Sequence, residues 1–87
     1  MNDFTFTEQG FSDYLYWQTQ DKKTLKKINS LLADIQRNGA MQGIGKPESL
    51  KHRPGYSRRI DDQNRLVYDI DELQNIKIIS CKGHYED

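Results

Sequence analysis

The sequence predicts an α+β fold in which a two-helix hairpin covers one face of a mainly antiparallel sheet. Three observations support this prediction: a short alternating apolar run near the start, two segments with apolar residues spaced three and four apart, and a second half in which short strand-like runs alternate with turn residues. A chain of 87 residues accommodates one domain, so residues 1–87 are expected to share a single core.

The first half of the chain carries the signals of one strand and two helices. Phe4-Thr5-Phe6 alternates as a short strand does, and Thr7 is a suitable cap for the helix that follows. The apolar residues of this first helix are Phe11, Tyr14, Leu15 and Trp17. Asp21 offers a second cap, and Asn38-Gly39 supplies residues that commonly end a helix. Between them runs one apolar stripe made of Leu25, Ile28, Leu31, Leu32 and Ile35.

The second half predicts four strands after an irregular connector. Glycines and a proline break any periodicity between residues 40 and 47. The predicted strands cover residues 49–52, 56–60, 65–70 and 76–82. The segments between them contain Pro54-Gly55, Asp61-Asp62 and Asn75, which are residues that turns favour. Because these links are short, the strands are expected to pair antiparallel.

Composition narrows the class of protein. A mean hydropathy of −0.95 and a hydrophobic content of 34% predict a small core with a wide polar surface. No run approaches about 18 consecutive apolar residues, and the N-terminus lacks a basic region followed by an apolar segment. A soluble cytoplasmic protein with no membrane partner is therefore expected. Cys81 is the single cysteine, which excludes an intramolecular disulfide and suits a reducing compartment.

The thirteen basic and thirteen acidic residues cancel, but they are unevenly distributed. Residues 22–37 carry five Lys or Arg against Asp34, and residues 45–60 carry five against Glu48. A polyanion senses charge over roughly 8 Å at physiological salt, so local clusters can attract nucleic acid to a neutral protein. The lysines at 22, 23, 26 and 27 repel one another on the second helix. An acidic partner would relieve this repulsion, whereas an ordinary solvated face would tolerate it.

The segment from residue 46 to residue 65 is the richer candidate for contacts with RNA. Its basic residues are Lys46, Lys51, His52, Arg53, Arg58, Arg59 and Arg65, and they surround Glu48. Arginine presents a planar fork to phosphate oxygens, and Tyr56 or Tyr85 offers a ring on which an unpaired base can stack. The same residue types also suit the edge of an ordinary hairpin. Binding and structural interpretations both remain open from composition alone.

The chain also contains the three residue types that cleavage of RNA needs. RNA supplies its own nucleophile, the 2′-hydroxyl, so a nuclease must deprotonate it, stabilise the charged phosphorane and protonate the departing 5′-oxygen. Glu48 is a candidate base, Arg65 or Arg59 a candidate for charge stabilisation, and His84 a candidate acid, since imidazole titrates near neutrality. A solvated glutamate and a surface histidine are the structural alternatives.

Two other chemistries have weaker support. Cys81, His84 and His52 are too few and too irregularly spaced for a recognised metal site, and Cys81 is expected to pack beside Ile79 rather than act as a nucleophile. The glycines of residues 39–45 lack the spacing of a phosphate-binding loop, so no nucleotide cofactor is predicted.

Six segments, taken in order, resemble one known family. They are Tyr14-Leu15-Tyr16-Trp17, Lys26-Lys27-Ile28-Asn29, Gly45-Lys46-Pro47-Glu48-x-Leu50-Lys51-His52, Ser57-Arg58-Arg59-Ile60, Arg65-Leu66-Val67-Tyr68 and His84-Tyr85. In this register nearly the whole chain is similar to the YoeB/Txe branch of the RelE-like bacterial toxins. The resemblance implies a RelE-like fold and a ribosome-dependent endoribonuclease that cuts mRNA without a metal or other cofactor.

The resemblance also implies roles and partners. It places the general base on Glu48, the transition-state arginine on Arg65, the general acid on His84 and an adjacent aromatic on Tyr85. Supporting RNA contacts fall on Arg59, Lys51 and His52, while the basic cluster itself nominates Lys46 and Arg58. The implied partners are a YefM/Phd-like antitoxin, the ribosome with its mRNA, a second copy of the chain, and operator DNA only through the antitoxin complex.

Two features depart from the family pattern. The chain is neutral where toxins of this kind are commonly basic, and Glu86-Asp87 extends beyond the usual His-Tyr end. An acidic extension close to Arg65 is expected to lower activity.

Overall fold

The computed structural model describes residues 3–84. Along this part of the chain the elements are β1 (Phe4–Phe6), α1 (Glu8–Gln20), α2 (Lys22–Asn38), β2 (Glu48–Ser49), β3 (Tyr56–Arg59), β4 (Arg65–Ile70) and β5 (Ile76–Ser80). The predicted α+β architecture is confirmed. Neither of these helices is long and apolar enough to cross a bilayer.

The five strands form one mixed sheet with the order β1-β5-β4-β3-β2. The consecutive strands from β2 to β5 pair antiparallel, as the short links between them predict. β1 instead pairs in parallel with β5, aligning Phe4 with Ile76 and Phe6 with Ile78. The helix pair connects β1 to the rest of the sheet, so the first and last strands lie side by side.

The residues predicted to cap the helices do so. The Thr7 hydroxyl accepts a hydrogen bond from the Gly10 backbone N–H over 3.0 Å. The Asp21 carboxylate accepts from the backbone N–H groups of Lys23 and Thr24, and its hydrogen bonds with Thr24 hold its pKa below the usual range. Gly39 ends α2 at a positive φ of 89°, donating its N–H to the carbonyl of Ile35. The helix boundaries are therefore fixed by local hydrogen bonds, from side chains at the starts and from the backbone of Gly39 at the end of α2.

The core lies between the helices and one face of the sheet. Its fully buried residues include Ile28, Leu31, Ile35, Leu66, Tyr68, Ile76 and Ile78. α1 packs on β5 at very short range, because a Cβ atom built on Gly10 would lie 2.3 Å from the Ile78 carbonyl oxygen. Only a glycine at position 10 permits this approach.

Three predicted strands are shorter than expected, and the one predicted at residues 56–60 is shorter by a single residue. The second covers only Glu48–Ser49, so Lys51 and His52 lie outside it. The N–H of Leu50 donates to the carbonyl of Gly55, which is the next pair in the β2–β3 register, and residues 51–54 form the loop that joins the two strands. The last strand ends at Ser80 rather than residue 82. Its pairing stops because the N–H of Cys81 donates to the carboxylate of Asp13 on α1.

Candidate functional site

The register of β2, β3 and β4 brings four polar residues onto the sheet face opposite the helices. Glu48 is the direct partner of Ser57, and Ser57 is the partner of Val67. Side chains of paired residues project from the same face of a sheet, and so do residues two apart on one strand. Arg65 therefore shares this face with Glu48 and Ser57, and Arg59, the partner of Arg65, lies on it as well.

The guanidinium of Arg65, the predicted charge stabiliser, contacts the carboxylate of Glu48, the predicted base. Its Nη1 donates to Glu48 Oε1 over 3.0 Å and to Ser57 Oγ over 3.3 Å. The side chains of Arg65 and Glu48 keep 30% and 61% of their accessible surface. An ion pair this exposed contributes little to folding, so both groups remain accessible to a ligand. Within residues 3–84, the other N–H groups of the Arg65 guanidinium make no hydrogen bond.

The segment that leads to His84 is attached to both the helices and the sheet. The Cys81 backbone N–H donates to Asp13 Oδ2 over 3.0 Å, and its carbonyl accepts from the indole N–H of Trp17 over 2.8 Å. The ammonium of Lys82 lies 4.1 Å from the ring centre of Tyr16. These contacts guide the chain from the end of β5 towards the start of β4.

Gly83 places the next residue, His84, beside Arg65. The backbone N–H of Arg65 donates to the Gly83 carbonyl over 3.0 Å, and the Gly83 N–H donates to Asn64 Oδ1 over 2.8 Å. The Cα atom of His84 is about 3.8 Å further along the chain. Its side chain is exposed, and no residue of the described segment hydrogen-bonds its imidazole. Tyr85 and the Glu86-Asp87 extension lie outside the described residues.

Arg59 lies at the surface next to Arg65 but is engaged by an acid. Its Nη2 forms an ion pair with Asp62 in the turn between β3 and β4. Both side chains are substantially exposed, so a phosphate can compete for this guanidinium.

The prediction that Arg58 contacts phosphate requires correction. Arg58 is fully buried on the helix-facing side of the sheet, where it forms an ion pair with Asp34. Its Nε donates to the hydroxyl of Tyr68 over 2.9 Å. The other acceptors of its guanidinium are the carbonyls of Gly39, Gln42 and Ile44. Arg58 thus holds the connector between α2 and β2 and presents no donor to the surface.

The other predicted RNA contacts are exposed and flank the site. Lys46 lies two residues before Glu48 at a positive φ of 51°, and the carbonyl of the preceding Gly45 accepts from the N–H of Arg59 over 2.7 Å. Lys51 and His52 lie on the loop after β2. On α2, Lys23 and Lys27 line a depression of about 460 Å³ that also contacts Asp61. The basic helix face therefore borders the β3–β4 turn.

Cys81 is positioned as a core residue. It is fully buried, and this burial raises the pKa of its thiol to about 12. The negative charge of the nearby Asp13 is the second, smaller cause. A thiol in this environment is protonated at neutral pH and is a poor nucleophile. The packing interpretation of Cys81 is therefore the better one.

The structure adds two residues that the sequence did not single out. Ser57 is the second acceptor for Arg65, and Asn64 holds the backbone of Gly83. The one feature of the sequence that could have identified Asn64 is its place immediately before Arg65. This feature is not specific, because asparagine is also a common turn residue. Ser57 could be identified only once the strand register was known.

Comparisons with known proteins agree with this arrangement. The family of YoeB-like toxins of bacterial type II toxin–antitoxin systems matches residues 6–85. Toxin YoeB of Escherichia coli (strain K12) is 44% identical over 82 residues, covering 92% of this chain and 95% of that protein. In the YoeB–YefM complex from Staphylococcus aureus, a chain 54% identical superposes with a TM-score of 0.89, covering 98% of this chain and 99% of its own length. The YoeB dimer from S. aureus gives 56% identity and a TM-score of 0.89, with coverages of 97% and 98%.

Proposed function

Because the chain belongs to the family of YoeB-like toxins of bacterial type II toxin–antitoxin systems, we propose that it is a ribosome-dependent endoribonuclease that cuts mRNA. This membership confirms the resemblance seen in the six sequence segments. The observation that supports the activity most directly is the contact between Arg65 and Glu48, two solvent-accessible groups of opposite charge beside the His84 segment.

In the proposed reaction, Glu48 removes the proton from a 2′-hydroxyl of the mRNA. The freed oxygen attacks the adjacent phosphorus, and negative charge builds up on the two non-bridging oxygens of the phosphorane. Arg65 lies where its remaining N–H groups can donate to those oxygens, since only Nη1 is engaged within the described residues. Stabilisation of this charge by a fixed donor is the largest expected contribution of the protein.

His84 completes the reaction by protonating the leaving group. As the bond between phosphorus and the 5′-oxygen breaks, the imidazolium transfers its proton to that oxygen. The products are a 2′,3′-cyclic phosphate on one fragment and a 5′-hydroxyl on the other. Tyr85 is proposed to stack on a base next to the scissile linkage. Arg59, Lys46, Lys51 and His52 are proposed to hold neighbouring phosphates.

Neither a metal nor another cofactor is required by this scheme. The nucleophile belongs to the RNA, and three side chains supply the base, the positive charge and the acid. The exposed basic surfaces of α2 and of the segment before β3 are suited to the ribosomal RNA that surrounds a translated mRNA. Cleavage there would stop translation, which places the proposed action in the cytoplasm.

The proposed regulator is a YefM-like antitoxin. The S. aureus relative was solved both in a YoeB–YefM complex and as a YoeB dimer. By analogy, we expect this chain, as one domain over residues 1–87, to bind a cognate antitoxin and to self-associate in its absence. Operator DNA would be contacted only through the antitoxin complex.

The activity is tested by inducing the chain without an antitoxin and mapping new mRNA 5′ ends by primer extension. Purified protein is then added to ribosomes carrying a defined mRNA, and the end groups of the fragments are analysed. We expect a 2′,3′-cyclic phosphate and a 5′-hydroxyl, and no cleavage when the nucleotide before the cut carries a 2′-deoxyribose. Ends bearing a 5′-phosphate would contradict attack by the 2′-hydroxyl.

The alternative function is a non-catalytic RNA- or protein-binding module of the same fold. It predicts ribosome binding without new mRNA ends, and equal growth inhibition by the wild type and by a Glu48→Gln variant. The primer-extension experiment therefore separates the two functions.

A further inference from the structure

Asn64 connects the two halves of the proposed active site. It directly precedes Arg65 in the sequence, and its Oδ1 accepts a hydrogen bond of 2.8 Å from the N–H of Gly83, the residue before His84. Its own carbonyl accepts from the N–H groups of Ile60 and Asp61, at 3.0 and 3.2 Å, which closes the turn between β3 and β4. One residue thus touches the end of β3, the start of β4 and the terminal segment.

Asp61 determines which way the amide of Asn64 points. Its carboxylate lies 3.0 and 3.2 Å from Asn64 Nδ2 and accepts from the backbone N–H of Asn64 over 2.8 Å. An ionised carboxylate only accepts hydrogen bonds, so the amide must turn its NH₂ group to Asp61 and its oxygen to Gly83. Burial raises the pKa of Asp61, but hydrogen bonds from Gln63 and Asn64 outweigh this and hold it below the usual range. Asp61 therefore stays ionised at neutral pH.

The hydrogen bond from the Gly83 N–H to Asn64 matters because few other contacts hold the backbone of Gly83. Gly83 lies beyond the end of β5 at a positive φ of 81°, and nothing lies within 4 Å of a Cβ atom built on it. Within the described residues, its backbone is held by only two hydrogen bonds, one from Arg65 and one to Asn64. Loss of the second would free the Lys82–Gly83 peptide, and the bond from Arg65 to the Gly83 carbonyl would then be the one described hydrogen bond that holds the Gly83 backbone in front of His84.

We propose that Asn64, oriented by Asp61, is a positioning residue that holds the imidazole of His84 at the leaving oxygen of the scissile phosphate. This inference rests on the proposed function, in which His84 is the general acid. A misplacement of about 1 Å at a reacting group can cost roughly 10²-fold in rate. Removal of the Asn64 amide should therefore lower the cleavage rate by about that factor without loosening the ribosome complex.

The first test compares Asn64→Ala with wild type in single-turnover cleavage on programmed ribosomes. We expect a rate about 10²-fold lower at saturation and an unchanged half-saturating ribosome concentration. Asn75→Ala is the matched control, because Asn75 forms a similar pair with Asp71 in the turn between β4 and β5, and its side chain does not contact Gly83. This control should cleave at the wild-type rate. Wild-type cleavage by Asn64→Ala would overturn the inference.

The second test determines whether Asn64→Ala cleaves slowly because proton transfer from His84 is impaired. An mRNA with a sulfur atom in place of the 5′-bridging oxygen has a leaving group that needs no proton. On this substrate Asn64→Ala and His84→Ala should both recover to within about threefold of the wild type, because a missing proton donor no longer limits the rate. A defect of Asn64→Ala that persists in full on the sulfur substrate would refute a role through His84.

The third test exchanges the two side chains. Asn64→Asp alone brings two carboxylates together and should be as defective as Asn64→Ala. In the double variant Asp61→Asn/Asn64→Asp, the carboxylate at position 64 can accept from Gly83 and from the amide at position 61. This variant should regain most of the lost rate, and failure to do so in a folded protein would count against the inference. If the wild type itself cleaves neither substrate, the proposed function fails, which is a result distinct from any of these.

Discussion

Arg65 and Glu48 share a hydrogen bond of 3.0 Å although they lie on strands that are not neighbours. β3 runs between them, and adjacent strands are about 4.8 Å apart, so both side chains must extend over β3 to meet. Ser57 lies beneath the contact and accepts the second hydrogen bond from the same nitrogen. The contact between Arg65 and Glu48 therefore depends on the register of all three strands. A slip of one residue in β3 would separate the two side chains.

Replacing Glu48 by glutamine should nearly abolish cleavage. The amide preserves size but cannot accept the proton of the 2′-hydroxyl, so the single-turnover rate should fall by about 10²–10⁴-fold. Ribosome binding, measured by co-sedimentation, should change little. Glu72→Gln, which alters an exposed acid in the β4–β5 turn, is the matched control and should retain activity. A Glu48→Gln protein that cleaves normally would exclude Glu48 as the base.

Replacing Arg58 by methionine should destabilise the protein strongly. The change leaves the buried carboxylate of Asp34 and three backbone carbonyls without their main donor. Breaking a buried ion pair from one side costs about 3–5 kcal/mol, which urea denaturation can measure. Arg37→Met, on the exposed face of α2, should stay within about 0.5 kcal/mol of the wild type. Equal stability of the two variants would show that the Arg58 contacts contribute little.

Asp34 should make part of the stability depend on acidic pH. The hydrogen bond from Arg58 holds the pKa of this carboxyl below its ordinary value of 3.8. A lowered pKa means that the folded state binds the proton less readily than the unfolded state. The stabilisation is therefore complete above pH 3.8 and is lost as the pH falls through the pKa of the folded protein.

The Asp34→Asn variant checks this pH dependence. It should be less stable than the wild type at pH 7 and should lose less of its remaining stability below pH 3.8, in urea titrations at each pH. Asp21, Asp61 and Asp71 also have lowered pKa values, so some acid sensitivity should persist in the variant. Identical acid dependence in both proteins would contradict the role assigned to Asp34.

The thiol of Cys81 should react very slowly in the folded protein. Because burial raises the pKa of this thiol to about 12, very little of it is ionised at pH 8, and the residue is fully buried. Reaction with a disulfide reagent should therefore be limited by opening of the structure, and it should become fast in denaturing urea. Rapid modification under native conditions would show that the segment after β5 opens readily.

The helical half of the fold was readable from the sequence because its signals are local. Thr7, Asp21 and Gly39 act through hydrogen bonds to residues at most four positions away. The end of β2 could not be predicted in this way, since it depends on the register in which β2 pairs with β3 and on the loop of residues 51–54 that the bond between Leu50 and Gly55 closes. The parallel pairing of β1 with β5 joins the two ends of the chain and has no local signal.

The sequence predicted which residue types form the candidate site, but it did not predict how their side chains are arranged. Glu48 and Arg65 were nominated by chemistry and resemblance, whereas their contact depends on strand register. Arg58 was misassigned because its neighbours in sequence are basic. It alternates with Tyr56 and Ile60 and so faces the helices, but an arginine there becomes credible only once Asp34 is seen opposite it. Asn64 needed the position of Gly83, a residue 19 positions away.

Gly10 is a position outside the proposed catalytic residues at which a substitution should disrupt the fold. Any side chain there would push α1 away from the Ile78 carbonyl, and Asp13 and Trp17, which hold Cys81, would move with the helix. Under the proposed function, bacteria that express this chain without an antitoxin would survive by inactivating it. Genetic screens for such survivors should recover missense mutations at codon 10 alongside those at codon 48.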